Sequence, residues 1–289
     1  MRGLWLCLLV FWGHLAHGQV PNEAPSPNQQ RQDRQRRLDP NAAPDPRFIK
    51  KDVAIESHLG RPRLGQSVSF GAGLGLPGGE LARRFGSNGY ATLGYNIIFP
   101  SKWTLGAEVG FGFGRGVKED PLSSLRDAAG GIITLDGNPG AVEVTQQMWT
   151  LPALRIGKLW VLRERKKPNE WEHGLWLQAG YHWLQYRYQI NNTTRDIVQL
   201  QGEGEAGYDR LTAGPGAVVE AQYLMLAPSG HYAFFGRAQY QLTAGQSRRA
   251  YDYNLQKATT GTLWSGSLNL QIGIALMFLQ LDEKDYFYY

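Results

Sequence analysis

The sequence predicts an all-β protein, an eight-stranded antiparallel up-and-down transmembrane β-barrel with a disordered N-terminal periplasmic extension. Three observations predict it. Apolar residues alternate with small or polar ones in eight segments, most clearly over 263–281. The connections between segments run long, short, long, short, long, short, long. The polar side of the strands is Gly, Ser, Thr, Asn and Gln, with few Lys or Glu. A water-facing sheet surface normally carries more charge.

Composition agrees with this class. The 289 residues include 36 glycines, aromatics make up 12% and charged residues only 19%. Glycine and aromatics spread through alternating segments suit a barrel. The formal net charge is +5, and much of the excess falls before the first strand. Charge alone would permit nucleic-acid binding, but no motif accompanies it, so no nucleic-acid partner is expected.

Residues 1–18 read as a signal peptide. Met1 and Arg2 form a charged start, 4–12 an apolar core, and Ala16-His17-Gly18 a small-residue cleavage site before Gln19. Cys7 is the only cysteine. It lies inside the apolar run rather than after it, which speaks against a lipoprotein. Once cleaved, the chain would carry no cysteine for a disulfide, a thiolate nucleophile or a metal. No later run of about 18 apolar residues exists, so no transmembrane helix is expected. Two options remain, a soluble secreted protein or an outer-membrane barrel.

Residues 19–66 form a basic Pro/Gln/Arg-rich extension. Pro21, Pro25, Pro27, Pro40, Pro44 and Pro46 punctuate it, and 29–37 is a Gln/Arg run. Such a stretch buries too little apolar surface to offset its ordering entropy and reads as disordered. It could touch peptidoglycan, anionic headgroups or a protein partner, or serve as a solvated linker. Residues 48–59 are amphipathic and could form a short helix or a strand-like lead-in.

The barrel is expected over 67–281. The first strand alternates Val68, Phe70, Ala72, Leu74 and Leu76 with Ser67, Ser69, Gly71, Gly73 and Gly75. A loop over 77–89 leads to the second strand, 90–99, and a tight turn at Pro100-Ser101. The third strand has Trp103, Leu105, Ala107, Val109, Phe111 and Phe113 on its apolar side. A long loop at 117–141 precedes the fourth strand, 142–162. A short charged connection, 163–173, leads to the fifth, with Leu175, Leu177, Ala179, Tyr181 and Trp183 against Trp176, Gln178, Gly180 and His182. After a loop at 191–207 the sixth strand spans 211–223, and 227–230 turns tightly into the seventh, 232–243. The last long loop, 246–261, precedes the eighth. That strand sets Trp264, Leu268, Leu270, Ile272, Ile274, Leu276 and Phe278 against Ser265, Ser267, Asn269, Gln271 and Met277. It is about fifteen residues long, where strands in soluble proteins run about 5–6.

An even strand count with short turns at one end and long loops at the other is the plan of bacterial outer-membrane barrels. Both chain ends would then lie on the periplasmic side. A soluble barrel of the lipocalin kind would turn its apolar set inward. The small, uncharged polar register, the long strands and the aromatics near strand ends (Trp103, Trp183, Tyr223, Tyr232, Tyr240, Trp264) favour lipid on the apolar side.

Four charges fall on the inward register, Glu108, Arg155, Glu220 and Arg237. Glu108 and Arg155 are on neighbouring strands, as are Glu220 and Arg237. Each lies about six residues from the short-turn end, so at about 3.3 Å per residue they share one level. An isolated charge there would be costly, so pairing or a single network is expected. An eight-stranded barrel is just wide enough for side chains to fill it, which favours a plug of ion pairs over a conduction path.

No catalytic, cofactor-binding or metal-binding residues are expected. Gly73-x-Gly75-x-x-Gly78 matches a dinucleotide pattern without the strand-to-helix setting that gives the pattern meaning. His182 is inward, with no nucleophile or second histidine at a useful spacing, and reads as a lumen hydrogen-bonder. The sequons at Asn191 and Asn192 mean little in a bacterial outer membrane. The tail, 282–289, is acidic and then aromatic, and has no clear parallel.

Gly94-Tyr95-Asn96 leading to Ser101-Lys102-Trp103-Thr104-Leu105-Gly106, together with Leu151-Pro152-Ala153-Leu154-Arg155, resembles the outer-membrane β-barrel family common in Bacteroidota. That group includes PorT-like proteins and shares the OmpA-like eight-stranded plan. The resemblance covers about 67–281. It implies a bacterial outer-membrane location and permits a link to type IX secretion or gliding. The expected function is a non-enzymatic structural or accessory barrel. Its partners would be outer-membrane lipid and periplasmic or secretion-machinery proteins, engaged through the outer loops and the extension. The alternatives are a lipid-modifying outer-membrane enzyme and a small, porin-like transport pore.

Overall fold

A computed structural model describes residues 57–60, 64–134, 137–140, 142–192, 197–201 and 203–279. The signal peptide, nearly all of the extension and the tail lie outside the described residues. Eight strands close one ring: β1 (Gly65–Gly79), β2 (Asn88–Ile98), β3 (Trp103–Gly114), β4 (Glu143–Arg163), β5 (Glu172–Asn191), β6 (Thr212–Leu226), β7 (Tyr232–Ser247) and β8 (Thr262–Leu279). Every strand is antiparallel to the next in sequence. β8 closes on β1 from Gly65↔Leu279 to Gly79↔Ser265. Closure leaves no free edge, so every ladder group can be paired within the ring.

The outside is apolar and the middle of the inside is polar. On β8, Leu268, Leu270, Ile272, Leu276 and Phe278 are exposed, with Ile272 at 76%, while Asn269 is at 0% and Ser265, Ser267 and Gln271 are buried. The same holds around the ring, through Phe70, Leu93, Leu105, Ile156, Leu177, Val219 and Phe234. Such a surface is stable against hydrocarbon and unstable in water, which makes this a transmembrane barrel. Aromatics mark both rims. At the short-turn end the Lys158 ammonium lies 5.8 Å from the centre of the Trp103 ring, and Trp171 stacks on Phe234. At the long-loop end Arg248 lies over Trp183 at 5.1 Å.

The alternation crosses one bulge that fixes which side chains enter the lumen. In β4, Leu151 pairs with Trp183 and Leu154 with Tyr181, so Pro152 and Ala153 bulge opposite a single residue. Proline has no ladder N–H to offer and is tolerated at such a bulge. The extra residue changes parity, so Met148 and Thr150 point inward above it and Arg155 and Leu159 below it. Glycine at 180 permits the close approach here, because a Cβ would sit 1.9 Å from the Leu154 carbonyl oxygen.

Several expectations are corrected. The extension was expected to be disordered to 66, but 57–60 form a hydrogen-bonded turn and β1 begins at Gly65. The expected loop at 77–89 is shorter. β1 continues to Gly79, the helix α1 (Glu80–Arg84) follows, and β2 starts at Asn88. Gly73 and Gly75 therefore lie within a strand, where a Cβ on Gly73 would meet the Leu270 carbonyl at 1.9 Å. β5 runs past Trp183 to Asn191, where the loop was expected to begin. Beyond Trp183 the side chains keep their alternation while their polarity swaps. Leu184, Tyr186, Tyr188 and Ile190 are buried inward, and Gln185, Arg187 and Gln189 face out. That swap is the signature of a strand leaving lipid for water. The long loops are structured too, with two short ribbons (Ile132–Ile133 with Pro139–Gly140, and Tyr251–Asp252 with Lys257–Ala258) and the helix α2 (Glu203–Tyr208).

Candidate functional site

The lumen is built in three layers. The middle layer holds the four inward charges. Arg155 Nη1 donates to Glu108 Oε2 at 3.0 Å and to Glu220 Oε2 at 2.6 Å, and its Nη2 also bonds Glu108. Arg237 Nη1 donates to Glu108 Oε2 at 2.5 Å and lies 3.6 Å from Glu220. The structure thus brings all four into one cluster, but not as two separate neighbour-strand pairs. β7 and β3 stand four strands apart in the ring, so the Arg237–Glu108 contact spans the barrel's diameter. All four side chains are at most 3% exposed. Two guanidinium and two carboxylate groups balance in charge, which is the condition for tolerating such burial.

Neutral side chains complete the layer. Arg237 Nη2 donates to Thr92 Oγ1 at 2.6 Å and to Gln271 Oε1 at 2.5 Å. Gln239 Nε2 reaches both carboxylates, at 3.2 and 3.4 Å, while its Oε1 accepts from Gln241 and Asn269. Gln178, with its amide nitrogen turned toward Glu220, donates to Oε1 at 2.8 Å. The Tyr90 hydroxyl is hydrogen-bonded to Thr150 Oγ1 at 3.0 Å and accepts from Gln241. His182 is fully buried, with Nε2 2.8 Å from Thr243 Oγ1. The inward register had placed Gln178 and Gln271 on this face without giving them partners. Thr92 and Tyr90 had no individual sequence signal, because a β-register says which face a residue takes and not whom it meets across a lumen.

Apolar clusters lie above and below. Toward the long-loop end, Phe85, Leu81, Tyr90, Met148, Leu184, Tyr186 and Tyr188 pack together, with Leu122, Ile132, Ile197 and Leu200 from the loops. Phe85 meets Tyr188 at 4.9 Å and Tyr186 edge-on at 6.3 Å. Toward the short-turn end, Leu159, Trp176, Leu224, Leu226, Phe235 and Met277 pack around Leu59. Leu59 is held there by Glu172, which is wholly buried and had been read only as part of a charged connection. Its carboxylate accepts from Ser57 Oγ at 2.9 Å and from the backbone N–H groups of His58 and Leu59, each at 2.7 Å. The polar layer thus lies between two apolar clusters.

Among the described residues no group of three or more His, Cys, Asp or Glu side chains is placed to hold a metal ion. On the outer surface His173 Nδ1 lies 2.7 Å from the Tyr223 hydroxyl at the short-turn rim.

No protein-family model matches the chain, and no curated protein does. Among solved structures it is similar to Ail, the attachment invasion locus protein of Yersinia pestis. The identity there is 9%, over 75% of this chain and 99% of that one, with a TM-score of 0.37. It is also similar to Neisserial surface protein A, at 8% identity over 73% and 96% with a TM-score of 0.40. A third is the outer membrane protein OprG of Pseudomonas aeruginosa, at 9% identity over 77% and 99% with a TM-score of 0.40. Likeness at this level says nothing of what the chain binds or does.

Proposed function

We propose that this chain is a non-conducting, non-enzymatic barrel of the bacterial outer membrane. It serves as a structural or accessory component that binds through its outer loops and its N-terminal arm. The observation that carries this reading is the filled lumen, with four mutually paired charges between two apolar seals. The exposed apolar belt places the barrel in lipid, and a strand-built span in a bacterium belongs to the outer membrane. By the usual plan the short-turn end and the arm are periplasmic and the long loops face outward. Outer-membrane lipid is the first partner. A periplasmic or secretion-machinery protein is the second, and a link to type IX secretion or gliding rests on the sequence resemblance alone.

The non-enzymatic part rests on commitment. The lumen's ionisable groups are bonded to one another rather than presented to a substrate. Two measurements test the reading. Purified protein in planar bilayers is expected to give no stepwise conductance, and steady channels from the wild type would contradict the closed lumen. The lipid profile of a deletion strain is expected to match its parent, and loss of one defined lipid modification would favour an enzyme.

A further inference from the structure

The apolar outer wall of the barrel is interrupted by one cation. Lys158, on β4, lies on the same face as Ile156 and Trp160, and its neighbours across the ladders are Trp103 on β3 and Leu177 on β5. All four of those side chains are exposed. The Lys158 ammonium lies 5.8 Å from the centre of the Trp103 ring and makes no ion pair among the described residues. From this rim up to Trp183, the outward register of the eight strands holds no other Lys, Arg, Asp or Glu among the described residues. Trp103 is the first residue of β3, so the pair sits at the short-turn rim rather than at mid-membrane. The indole N–H groups of Trp103 and Trp160 donate to no acceptor among the described residues.

A lysine on an apolar wall at this depth lays its stem along the wall and brings its ammonium to the headgroups. Its counter-ion has to come from somewhere. No carboxylate of this barrel faces outward here, and a second copy packed on the same wall would add none, because its belt has none either. A lipid phosphate remains. The surroundings also select the lipid. Residues 163–171 hold Arg163, Arg165, Lys166 and Lys167 against Glu164 and Glu170. Arg163 lies 3.7 Å from Glu170, and Arg165 donates to the Pro228 carbonyl at 2.8 Å. Lys166 and Lys167 are exposed and make no ion pair among the described residues. This end of the wall is therefore positive, which favours a lipid of net negative charge over a zwitterion that brings its own cation.

We propose that this wall binds one net-anionic phospholipid of the phosphatidylglycerol class. The Lys158 ammonium pairs with its phosphate, Trp103 and Trp160 flank the headgroup with free indole donors, and an acyl chain lies along Ile156 and Leu105. Tryptophan suits the place, since its ring rests in the apolar zone while its N–H meets the wet one. In the proposed orientation the lipid belongs to the periplasmic leaflet. The proposal deepens the lipid partnership given above, and it rests on the apolar belt facing lipid.

The test is native mass spectrometry of the full chain released from detergent micelles, titrated with dioleoylphosphatidylglycerol or dioleoylphosphatidylcholine. One phosphatidylglycerol is expected to be retained at about tenfold lower concentration than the first phosphatidylcholine, the worth of one charge-assisted hydrogen bond. Lys158→Gln is expected to abolish that preference, and it spares folding because it takes a charge off an apolar wall. Trp103→Leu is expected to reduce the preference by about threefold, the loss of an exposed cation–π contact. Lys166→Ala/Lys167→Ala removes twice the charge from the same end of the barrel and is expected to reduce it less than Lys158→Gln does. Equal retention of the two lipids by the wild type, a preference that survives Lys158→Gln, or a larger loss in the double variant would each overturn the proposal. So would a dimer that Lys158→Gln dissociates, because the wall would then face a second copy. Quenching by brominated lipid of fluorophores placed along β8 tests the belt itself. Alternating quenching without a headgroup preference defeats this site alone, and quenching without alternation defeats the belt.

Discussion

Arg155 and Arg237 each serve two carboxylates, so removing any one of the four charges leaves a buried partner uncompensated. Truncating one member of a buried pair costs about 3–5 kcal/mol. Arg155→Ala and Glu220→Ala are therefore each expected to lower folding stability by about that much in urea titrations on lipid vesicles. Arg155→Ala/Glu220→Ala should cost less than the sum of the two by more than about 1 kcal/mol. The Glu220–Arg237 pair, at 3.6 Å against 2.6 Å, is expected to couple more weakly. Additive effects in both cycles would dissolve the network into independent charges. The four residues were legible one by one, since each breaks an otherwise uncharged register. Their partners were not, because contacts across a lumen depend on ring order, stagger and side-chain reach.

At the scale of elements, β4 and β5 carry the most information. Both extend past their neighbours at the long-loop end, pairing up to Glu143↔Asn191. There the outward face turns polar, through Gln147, Arg187 and Gln189, and Arg187 Nε donates to Gln147 Oε1 at 2.7 Å. A lysine on the lipid face costs about 2–4 kcal/mol at mid-membrane and about 0–1 near the interface. Ile272→Lys, beside the charged layer, is expected to fall in the first range and Gln185→Lys in the second, by the same vesicle titrations. Equal costs would misplace the membrane boundary. The bulge allows a sharper test. Deleting Pro152 would remove the extra residue, leave Ala153 alone opposite His182 and keep Arg155 in the lumen opposite Gly180. That variant is expected to fold into vesicles, and loss of the folded barrel would contradict the assigned bulge. The eight strands and the order of their connections could be read from alternation, because period two is a local property. The apolar-outward alternation of β5 could be followed only to Trp183, because beyond it polarity inverts without a break in period, and α1 was missed because five residues are too few to show a helical repeat.

For the molecule as a whole, closure at both mouths matters more than any single strand. The short-turn mouth is sealed by Leu59, which precedes the barrel and is tied down by Glu172. Glu172→Ala removes three hydrogen bonds and is expected to cost about 1–3 kcal/mol and to speed proteolysis near 57–60. An unchanged cleavage rate would mean that the turn is not held there. Neither mouth could be foreseen from alternation, because each is closed by residues outside the repeating pattern that meet only once the ring forms. The broad architecture was legible for the opposite reason, since the same constraint, grease outward and polar inward, acts on every strand. The most direct measurement of that constraint is site-specific labelling along β8. A fluorophore on single cysteines at Leu268, Leu270 and Ile272 should be quenched by brominated lipid in vesicles, while cysteines at Asn269 and Gln271 should resist labelling in the folded barrel. Quenching that ignores the alternation, or ready labelling at 269 and 271 with 268, 270 and 272 shielded, would turn the barrel inside out and contradict the account.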